Sequence, residues 1–353
     1  MKNIYLKVLD EISKNSSLAL ATVTRASGST PRKSGSSALF GNNGLIMGTI
    51  GGGVVEGRVH KLVTEALISK KSCHPHFDLA YDISRKEEAI CGGEVNVLID
   101  VNLQNSLGIF ELMKQSISEG IPGVLITMVT PESEKTVLIS RYWFTKDSLS
   151  VLPEEFHLKI KQVADSMIQA ANPYDYSEME LSLQGKEPSS TFFLESVLPL
   201  KKLIIAGAGH IGKALAHLGS MLAFEVTVID DRSEYANKSN LPDADHIVVR
   251  NIGEALRSIE KDKNTFVVIV TRGHMDDAAA LKQCIGAEFA YLGMIGSRGK
   301  VAQMRREFLA NGWATEEQWA MIDAPVGLEI NSETVEEIAI SIAAQLVLVR
   351  NSK

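Results

Sequence analysis

The feature that most constrains the fold is a glycine pattern within residues 203–232, which read LIIAGAGHIGKALAHLGSMLAFEVTVIDDR. Gly207, Gly209 and Gly212 follow a β-branched apolar run and open an amphipathic helical stretch. In a strand–loop–helix unit of this kind, the first glycine permits a tight turn and the second lets the backbone approach a pyrophosphate. The third lets helix and strand pack closely. Because the N–H groups of a helix start bind phosphate, the pattern predicts a site for a phosphate-bearing ligand.

An acidic residue lies where a dinucleotide site places one. Asp230 comes roughly 20 residues after Gly207, at the end of the second strand, where its carboxylate could accept a hydrogen bond from a ribose hydroxyl. His210 and Arg232 lie beside these positions and leave the ligand open, so the pattern does not select a nicotinamide dinucleotide. The alternative interpretation is a Rossmann-like domain whose glycine loop is only a tight turn.

From residue 202 onward, strand-like and helix-like stretches alternate. The strand-like runs lack the polar alternation of half-exposed strands, and they are KLIIAG, EVTVID, HIVVR, FVVIVT and AYLGMIG. Buried strands that alternate with amphipathic helices are typical of a doubly wound parallel sheet. A last helix is expected after Thr334, with Glu337 completing a capping box. The predicted fold class is α/β, with a C-terminal Rossmann-like doubly wound parallel sheet and a mixed α+β N-terminal domain.

The first half of the chain has the pattern of that mixed α+β domain. Strands are predicted over residues 17–24 and in SSALF, followed by a GNNG hairpin turn and LIMGTI. A helix in GGGVVEGRVHKLVTEALIS, a strand in EVNVLIDV and a hairpin of VLITMVT with KTVLISRYW follow. Residues 174–190 are polar and predict a loop, before a last strand in TFFLESVLPL. We place the domain boundary at Pro199, with one domain over residues 1–198 and the other over 199–353.

Charge and cysteine content exclude several classes of protein. The net charge of −7 gives no general attraction for nucleic acid or an anionic membrane, so neither is an expected partner. No apolar run approaches the ~20 residues of a membrane span, and the first residues lack a signal-peptide pattern. Three widely spaced cysteines are typical of reduced thiols, which predicts a cytoplasmic location, and are too few to ligate an iron–sulfur cluster. Cys73 with His74 and His76 lacks a matching ligand pair, so we interpret it as a surface turn and predict no metal site.

A second glycine-rich loop precedes a helix in the first domain. Gly51, Gly52 and Gly53 form a candidate anion nest in GTIGGGVVEGR. Upstream, Arg25, Arg32 and Lys33 lie among small residues and could hold a phosphate. The alternative is a glycine-rich hairpin corner with solvated basic side chains.

Two cysteines differ in their predicted environment. Cys91 precedes two glycines and a strand in AICGGEV, where adjacent N–H groups could stabilise an exposed thiolate. Such a sulfur could ligate a soft metal or carry a sulfur atom, and a buried inert thiol is the alternative. Cys284 lies within a predicted helix and is expected in the core.

Two further loops are expected at the carboxyl edge of the parallel sheet, where ligands bind in such folds. TRGHMDD follows the fourth strand, and its His274 could hydrogen-bond a ligand or transfer a proton, or be tied to Asp276 or Asp277. GSRGK follows the fifth strand, and its Arg298 and Lys300 could hold an anion or be solvated surface charges.

The ordered set of motifs resembles the XdhC/CoxI family of xanthine dehydrogenase accessory proteins. The resemblance covers both domains and nearly the whole chain. The segments that carry it are GSTPRKSG, GTIGGGVVEGR, CGGEV, LIIAGAGHIGKAL, VIDDR, TRGHMDD, YLGMIGSRGK and APVGLEINSETVEEIAISIAAQL.

The resemblance implies a chaperone of the molybdenum cofactor. Such a protein binds molybdopterin, protects it while a cysteine desulfurase supplies its sulfido ligand, and passes it to apo xanthine dehydrogenase or a related molybdenum hydroxylase. Position by position, Cys91 matches the family's motif cysteine. The family's first glycine loop is matched by Gly51, Gly52, Gly53 and Glu56, and its second by Gly207, Gly209, His210 and Gly212. Two positions depart from the family pattern, since Ile90 stands where a second cysteine is common and Asn331 where glycine is common.

Two other functions remain as alternatives. The chain could be an NAD(P)-dependent oxidoreductase that uses Asp230 on the ribose and His274 as acid or base. It could also be a non-catalytic subunit of the hydroxylase. Since molybdopterin carries a phosphate, a glycine nest can accept it without hydride chemistry, and we therefore favour a chaperone that is not itself an enzyme. A homodimer is left open.

Overall fold

A computed structural model of the chain describes residues 3–14, 17–28, 30, 32–51, 53–79, 93–146, 148, 152, 156–171, 175–181 and 189–352. Contacts within the chain define two compact units, of which one spans Asn3–Pro199 and the other includes Leu200–Lys353.

Helices and strands mix in the first unit. Its elements are α1 (Ile4–Ile12), β1 (Leu18–Gly28), β2 (Ser37–Gly41), β3 (Gly44–Gly48), α2 (Gly53–Ser69), β4 (His76–Asp78), β5 (Gly93–Asp100), a 3₁₀ helix (Leu103–Ser106), α3 (Leu107–Ser118), β6 (Gly123–Pro131), β7 (Val137–Thr145), α4 (His157–Ala170), β8 (Tyr176–Leu181) and β9 (Ser190–Val197). The strands form two antiparallel sheets, with orders β3-β2-β1-β5-β4 and β7-β6-β9-β8. The predicted mixed α+β domain is confirmed.

The predicted hairpin and helix of this unit are both present. Gly44 has a φ of +106°, which the turn between β2 and β3 requires and which glycine adopts at little cost. Alternating apolar residues of β1 pack against one face of α2, and this core includes Ala19, Ala21, Val23, Val59 and Val63. The inward-facing residues of β1, at every second position, therefore pack in one core with those of α2, which are spaced by about one helical turn.

Two predictions for this unit are wrong. The polar stretch over residues 174–190, predicted as a loop, contains β8, which pairs with β9. Because β8 is an edge strand whose Glu178 and Glu180 are exposed to solvent, its sequence has the polar composition of a loop. The predicted surface turn at Cys73 instead bridges to β5, because the N–H groups of Cys73 and Ile99 each donate to the other's carbonyl, at 3.0 and 2.8 Å. Partial burial raises the pKa of the Cys73 thiol.

Strands and helices alternate in the second unit. Its elements are β10 (Lys202–Ala206), α5 (His210–Met221), β11 (Glu225–Asp230), β12 (His246–Val249), α6 (Ile252–Ser258), β13 (Thr265–Ile269), α7 (His274–Cys284), β14 (Tyr291–Met294), α8 (Arg298–Ala310), α9 (Glu316–Ala320) and α10 (Val335–Asn351). The five strands are all parallel in the order β12-β11-β10-β13-β14. The predicted doubly wound Rossmann-like sheet is confirmed.

Both faces of this sheet are covered by apolar packing. Leu203, Ile205 and Val228 belong to one buried cluster, and Ile204 and Val267 belong to another. The capping box at α10 forms as predicted, since the Thr334 hydroxyl accepts from the Glu337 N–H and the Glu337 carboxylate accepts from the Thr334 N–H. Cys284 is fully buried, as expected, and burial raises its pKa to about 12.

The strand order reverses between β10 and β13, whose neighbours lie on opposite sides. Because parallel strands end at the same edge, the loops after β10, β11, β13 and β14 all lie at the carboxyl edge of this sheet. No helix that the structure describes is both long enough and apolar enough to cross a bilayer.

Asn331 adopts a backbone conformation that accounts for its departure from the family pattern. Its φ is +57°, in the left-handed region that glycine enters freely and asparagine tolerates better than most residues. We expect Asn331→Ala to lower the free energy of unfolding by about 1 kcal/mol, whereas Asn331→Gly leaves it unchanged or higher. Urea denaturation of both variants measures this, and equal stabilities would contradict the assignment of strain to this residue.

Candidate functional site

Two of the three glycines between β10 and α5 are required by the chain's own packing. Gly207 has a φ of +119°, and a Cβ there would lie 2.4 Å from the Val270 carbonyl oxygen. A Cβ on Gly212 would lie 1.9 Å from the Gly207 carbonyl oxygen. No side chain fits at either position, which agrees with a tight turn at the first glycine and close helix packing at the third.

The middle glycine has no such internal cause. Gly209 is the N-cap of α5 with φ −68° and ψ −171°, a conformation that any residue adopts. A Cβ there would meet no described atom within 4 Å, and among the described residues no side chain caps this helix start. His210, the first residue of α5, is exposed. The open space therefore lies beside N–H groups that the helix itself leaves unpaired, which is the geometry a phosphate needs.

Asp230 is held by protein donors at the end of β11. One carboxylate oxygen accepts from the Ala208 N–H at 2.8 Å and from Arg232 Nη2 at 2.8 Å, and the other accepts from Arg232 N and Nε at 3.0 and 2.9 Å. Burial raises the pKa of Asp230, but these hydrogen bonds outweigh it and hold the pKa at about 2. The ionised carboxylate thus fixes the glycine loop. Its contact with a ribose hydroxyl stays a prediction.

The side chain of Arg232 is fixed from two sides. Besides its ion pair with Asp230, its guanidinium carbon lies 4.1 Å from the centre of the Tyr235 ring. A planar cation stacked on an aromatic ring and paired with a carboxylate keeps one orientation. Arg232 therefore acts on the glycine loop through Asp230.

The loop after β13 supplies a second glycine-capped helix start. Gly273 is the N-cap of α7, and among the described residues neither a side-chain cap nor any atom within 4 Å of a Cβ is present there. Nε2 of the half-buried His274 lies 3.3 Å from Glu307 Oε2 on α8. His274 is thus paired with neither Asp276 nor Asp277, the two partners considered from the sequence.

A buried ion pair joins this loop to α8. Asp277 is fully buried, and its carboxylate accepts from the Thr271 hydroxyl at 2.5 Å and from the Lys300 ammonium at 2.5 Å. Lys300, predicted to hold an anion, therefore has a carboxylate partner within the protein. Arg298 pairs with Glu329 at 2.6 Å, and both side chains are more than three-quarters exposed, at 79% and 78%. The sequence could not show the Asp277–Lys300 pair, because the two residues lie on different helices.

The first-domain glycine loop is partly occupied by its own hydrogen bonds. The Gly51 N–H donates to the Thr49 hydroxyl at 3.1 Å, and that hydroxyl donates to Glu56 Oε2 at 3.1 Å. Glu56 lies in the first turn of α2, where its negative charge opposes an incoming anion. Gly53 has a φ of +60°, so a left-handed turn leads into the helix.

The basic residues predicted to hold a phosphate in this domain, Arg25, Arg32 and Lys33, are exposed. Arg25 donates to Glu178 at 2.6 Å. Gly52 and Cys91 lie outside the described residues. Within the described ranges, no cluster of three or more His, Cys, Asp or Glu side chains is placed to hold a metal ion. The starts of α5 and α7 are therefore both glycine-capped and open to an anion, and that of α5 is the one that follows the glycine pattern predicted to bind phosphate.

Two parts of the chain match models of the XdhC family. Residues 203–346 match the XdhC Rossmann domain, and residues 12–78 match the XdhC and CoxI family. The uncharacterized protein YqeB of Escherichia coli (strain K12) is 25% identical over 351 residues, which cover 99% of this chain and 47% of that protein. The chain therefore spans about half the length of this relative.

Two further relatives match over most of their length. A probable xanthine dehydrogenase subunit of Bacillus subtilis (strain 168) is 25% identical over 333 residues, or 94% of this chain and 92% of that protein. The crystal structure of a xanthine dehydrogenase from Bacillus halodurans has the same fold, with a TM-score of 0.75 and 24% identity over 100% of this chain and 97% of that one. The chain belongs to the XdhC/CoxI family.

Proposed function

We propose that this chain is an accessory factor that binds molybdopterin through its phosphate at the start of α5 and supports maturation of a molybdenum hydroxylase. Gly209 carries the proposal, since neither backbone conformation nor packing requires glycine there. A glycine with no internal cause beside an uncapped helix start is explained by a ligand that approaches the backbone closely.

The residues present fit a phosphorylated pterin. The backbone N–H groups of His210 and Ile211, in the first turn of α5, would receive the phosphate oxygens. When bound, the cofactor supplies the molybdenum chemistry of the client enzyme. The chain's own residues would hold and orient it, with Asp230 and Arg232 keeping the glycine loop in place.

The hydrogen bonds that Asp230 already accepts within the protein favour a phosphate-binding loop over the cofactor site of a dehydrogenase. Both of its oxygens already accept two hydrogen bonds, so a ribose hydroxyl would have to compete with Ala208 or Arg232. His274 is placed against Glu307 rather than alone in the loop. Hydride transfer to NAD(P) is therefore the less favoured use of this loop.

The family relationship supports the proposed client and helper. Membership links the chain to xanthine dehydrogenase maturation, so the proposed partners are apo xanthine dehydrogenase or a related hydroxylase, and a cysteine desulfurase for sulfuration. Cys91 is proposed to contact the cofactor. We further propose a cytoplasmic location.

Bound pterin tests the function. The protein is purified from cells with and without molybdopterin biosynthesis, its bound pterin is quantified by fluorescence after oxidation, and NAD and NADP are titrated separately. We expect pterin only from the proficient cells, lost in Cys91→Ala and retained in Cys73→Ala. Absence of pterin, together with tight dinucleotide binding and turnover, would establish the oxidoreductase instead.

A further inference from the structure

A small polar cavity lies within the first unit, lined by residues from both of its sheets and from α1. Its volume is about 10 Å³, and its polar lining includes Tyr5, Thr127, Arg141, Tyr176 and Glu195. That volume is close to the least a cavity needs to hold one water molecule. Charged and hydroxyl groups at inward-facing positions between two sheets are costly unless something pairs with them.

Two buried donors at this cavity have no partner. Among the described residues, the buried side-chain polar atoms without a hydrogen bond are Arg141 Nε, Tyr176 Oη and Ser196 Oγ. Arg141 is only 7% exposed; its Nη1 donates to Asp100 and Ser106, whereas its Nε has no partner. Since Arg141 and Tyr176 both line the cavity, a hydrogen-bond acceptor there would satisfy both.

The carboxyl group of Glu195 lines the same cavity as these two donors. Tyr5 on α1 donates to Glu195 Oε2 at 2.5 Å. Burial raises the pKa of Glu195 to about 7, against the opposing effects of the Tyr5 hydrogen bond and the Arg141 charge. Tyr176 on β8 and Thr24 also line this space, and the Thr24 hydroxyl lies 2.7 Å from Nε2 of His74, whose pKa is lowered by burial.

We propose that this cavity binds one water molecule, which accepts hydrogen bonds from Arg141 and Tyr176 and donates one to Glu195, and that the Glu195 carboxyl is the proton-exchanging group of the site. The class of ligand follows from the lining. Two unpartnered donors at one cavity favour an acceptor, a volume of about 10 Å³ has room for one water-sized molecule, and the Glu195 carboxyl beside them favours a molecule that can also donate.

The site would make the first unit sensitive to pH. The pKa of Glu195 in the folded chain, about 7, is above its ordinary value of 4.5. The carboxyl of Glu195 therefore binds its proton more tightly in the folded chain than in the unfolded chain, and between pH 4.5 and about 7 it is protonated mainly in the folded chain. Stability contributed by the protonated carboxyl is present below the ordinary value and is lost as pH rises through neutral.

Infrared spectroscopy and a high-resolution crystal structure of the full chain test this together. We expect a protonated carboxyl band that titrates with a midpoint near 7, is absent from Glu195→Gln and is kept in Glu178→Gln, the matched change on the neighbouring strand. The crystal structure should show one water within hydrogen-bond distance of Arg141 Nε and Tyr176 Oη, lost or displaced in Tyr176→Phe.

Each possible result decides the proposal. A protonated carboxyl band with a titration midpoint near 7, together with a water at Arg141 Nε and Tyr176 Oη, supports it. A midpoint at the ordinary glutamate value, or direct protein contacts to Arg141 Nε and Tyr176 Oη in place of a water, overturns it. Because both measurements are made on the wild-type chain as well as the variants, a variant that fails to fold leaves the test intact.

Discussion

Gly209→Val is expected to leave the chain folded and to reduce its affinity for a phosphate-bearing pterin on the order of 100-fold. The backbone of Gly209 suits any residue, and its Cβ position is open, so we expect the unfolding free energy to fall by no more than about 1 kcal/mol. The isopropyl group would occupy the space beside the first turn of α5. Two charge-assisted hydrogen bonds of ~1.5 kcal/mol each would be lost, and each 1.4 kcal/mol is tenfold in affinity.

The measurement compares two ligands and two variants. Affinity is measured by fluorescence titration with the oxidised phosphate-bearing pterin derivative of the cofactor and with its dephosphorylated form. Gly108→Val is the matched control, because Gly108 lies in the first turn of α3 and a Cβ there also meets nothing within 4 Å. We expect the loss only for Gly209→Val and only with the phosphorylated ligand. Equal affinities for wild type and Gly209→Val would contradict the phosphate role.

Asp100→Ala is expected to destabilise the first unit by about 3–5 kcal/mol, because it leaves a buried guanidinium without its counter-charge. The pair of Asp100 with Arg141 is 2.5 Å long, and the side chains are only 2% and 3% exposed. Asp100 also accepts from the Asn102 N–H at 2.8 Å and from the Ser72 hydroxyl at 3.2 Å. Removing the carboxylate therefore leaves several buried donors unpaired at once.

Urea denaturation of the full chain measures this effect. Glu178→Ala is the control in the same unit, since it breaks the pair with the 64% exposed Arg25, and such exposed pairs contribute about 0–1 kcal/mol. If Asp100→Ala cost no more than the control, the buried ion pair would not be a main stabilising contact of this unit.

The parallel sheet could be predicted because its signals are local. Each of its five strands is a short apolar run between helical stretches, and the α10 cap is contained in Thr334 and Glu337 alone. The strand β8 was missed because only every second residue faces the protein, and Glu178 and Glu180 gave it the composition of a loop. Edge strands carry this weakness in general.

The candidate site was predictable only in part. The glycine spacing predicted α5 and its open N-cap, whereas the partners of charged groups depend on which helices the fold brings together. Lys300 was expected to meet a ligand and instead meets Asp277, and His274 meets Glu307. The cavity around Glu195 and Arg141 draws on strands far apart in sequence, so no local pattern indicated it. Asn331 adopts a positive φ that glycine enters freely, so this backbone conformation forms here without a glycine.

The most direct measurement is a crystal structure of the chain bound to the phosphate-bearing pterin. We predict the phosphate oxygens within hydrogen-bond distance of the backbone nitrogens of His210 and Ile211, with Gly209 facing the ligand. A pterin bound with its phosphate elsewhere on the chain, and with the start of α5 in contact with solvent, would contradict the assignment of this glycine loop.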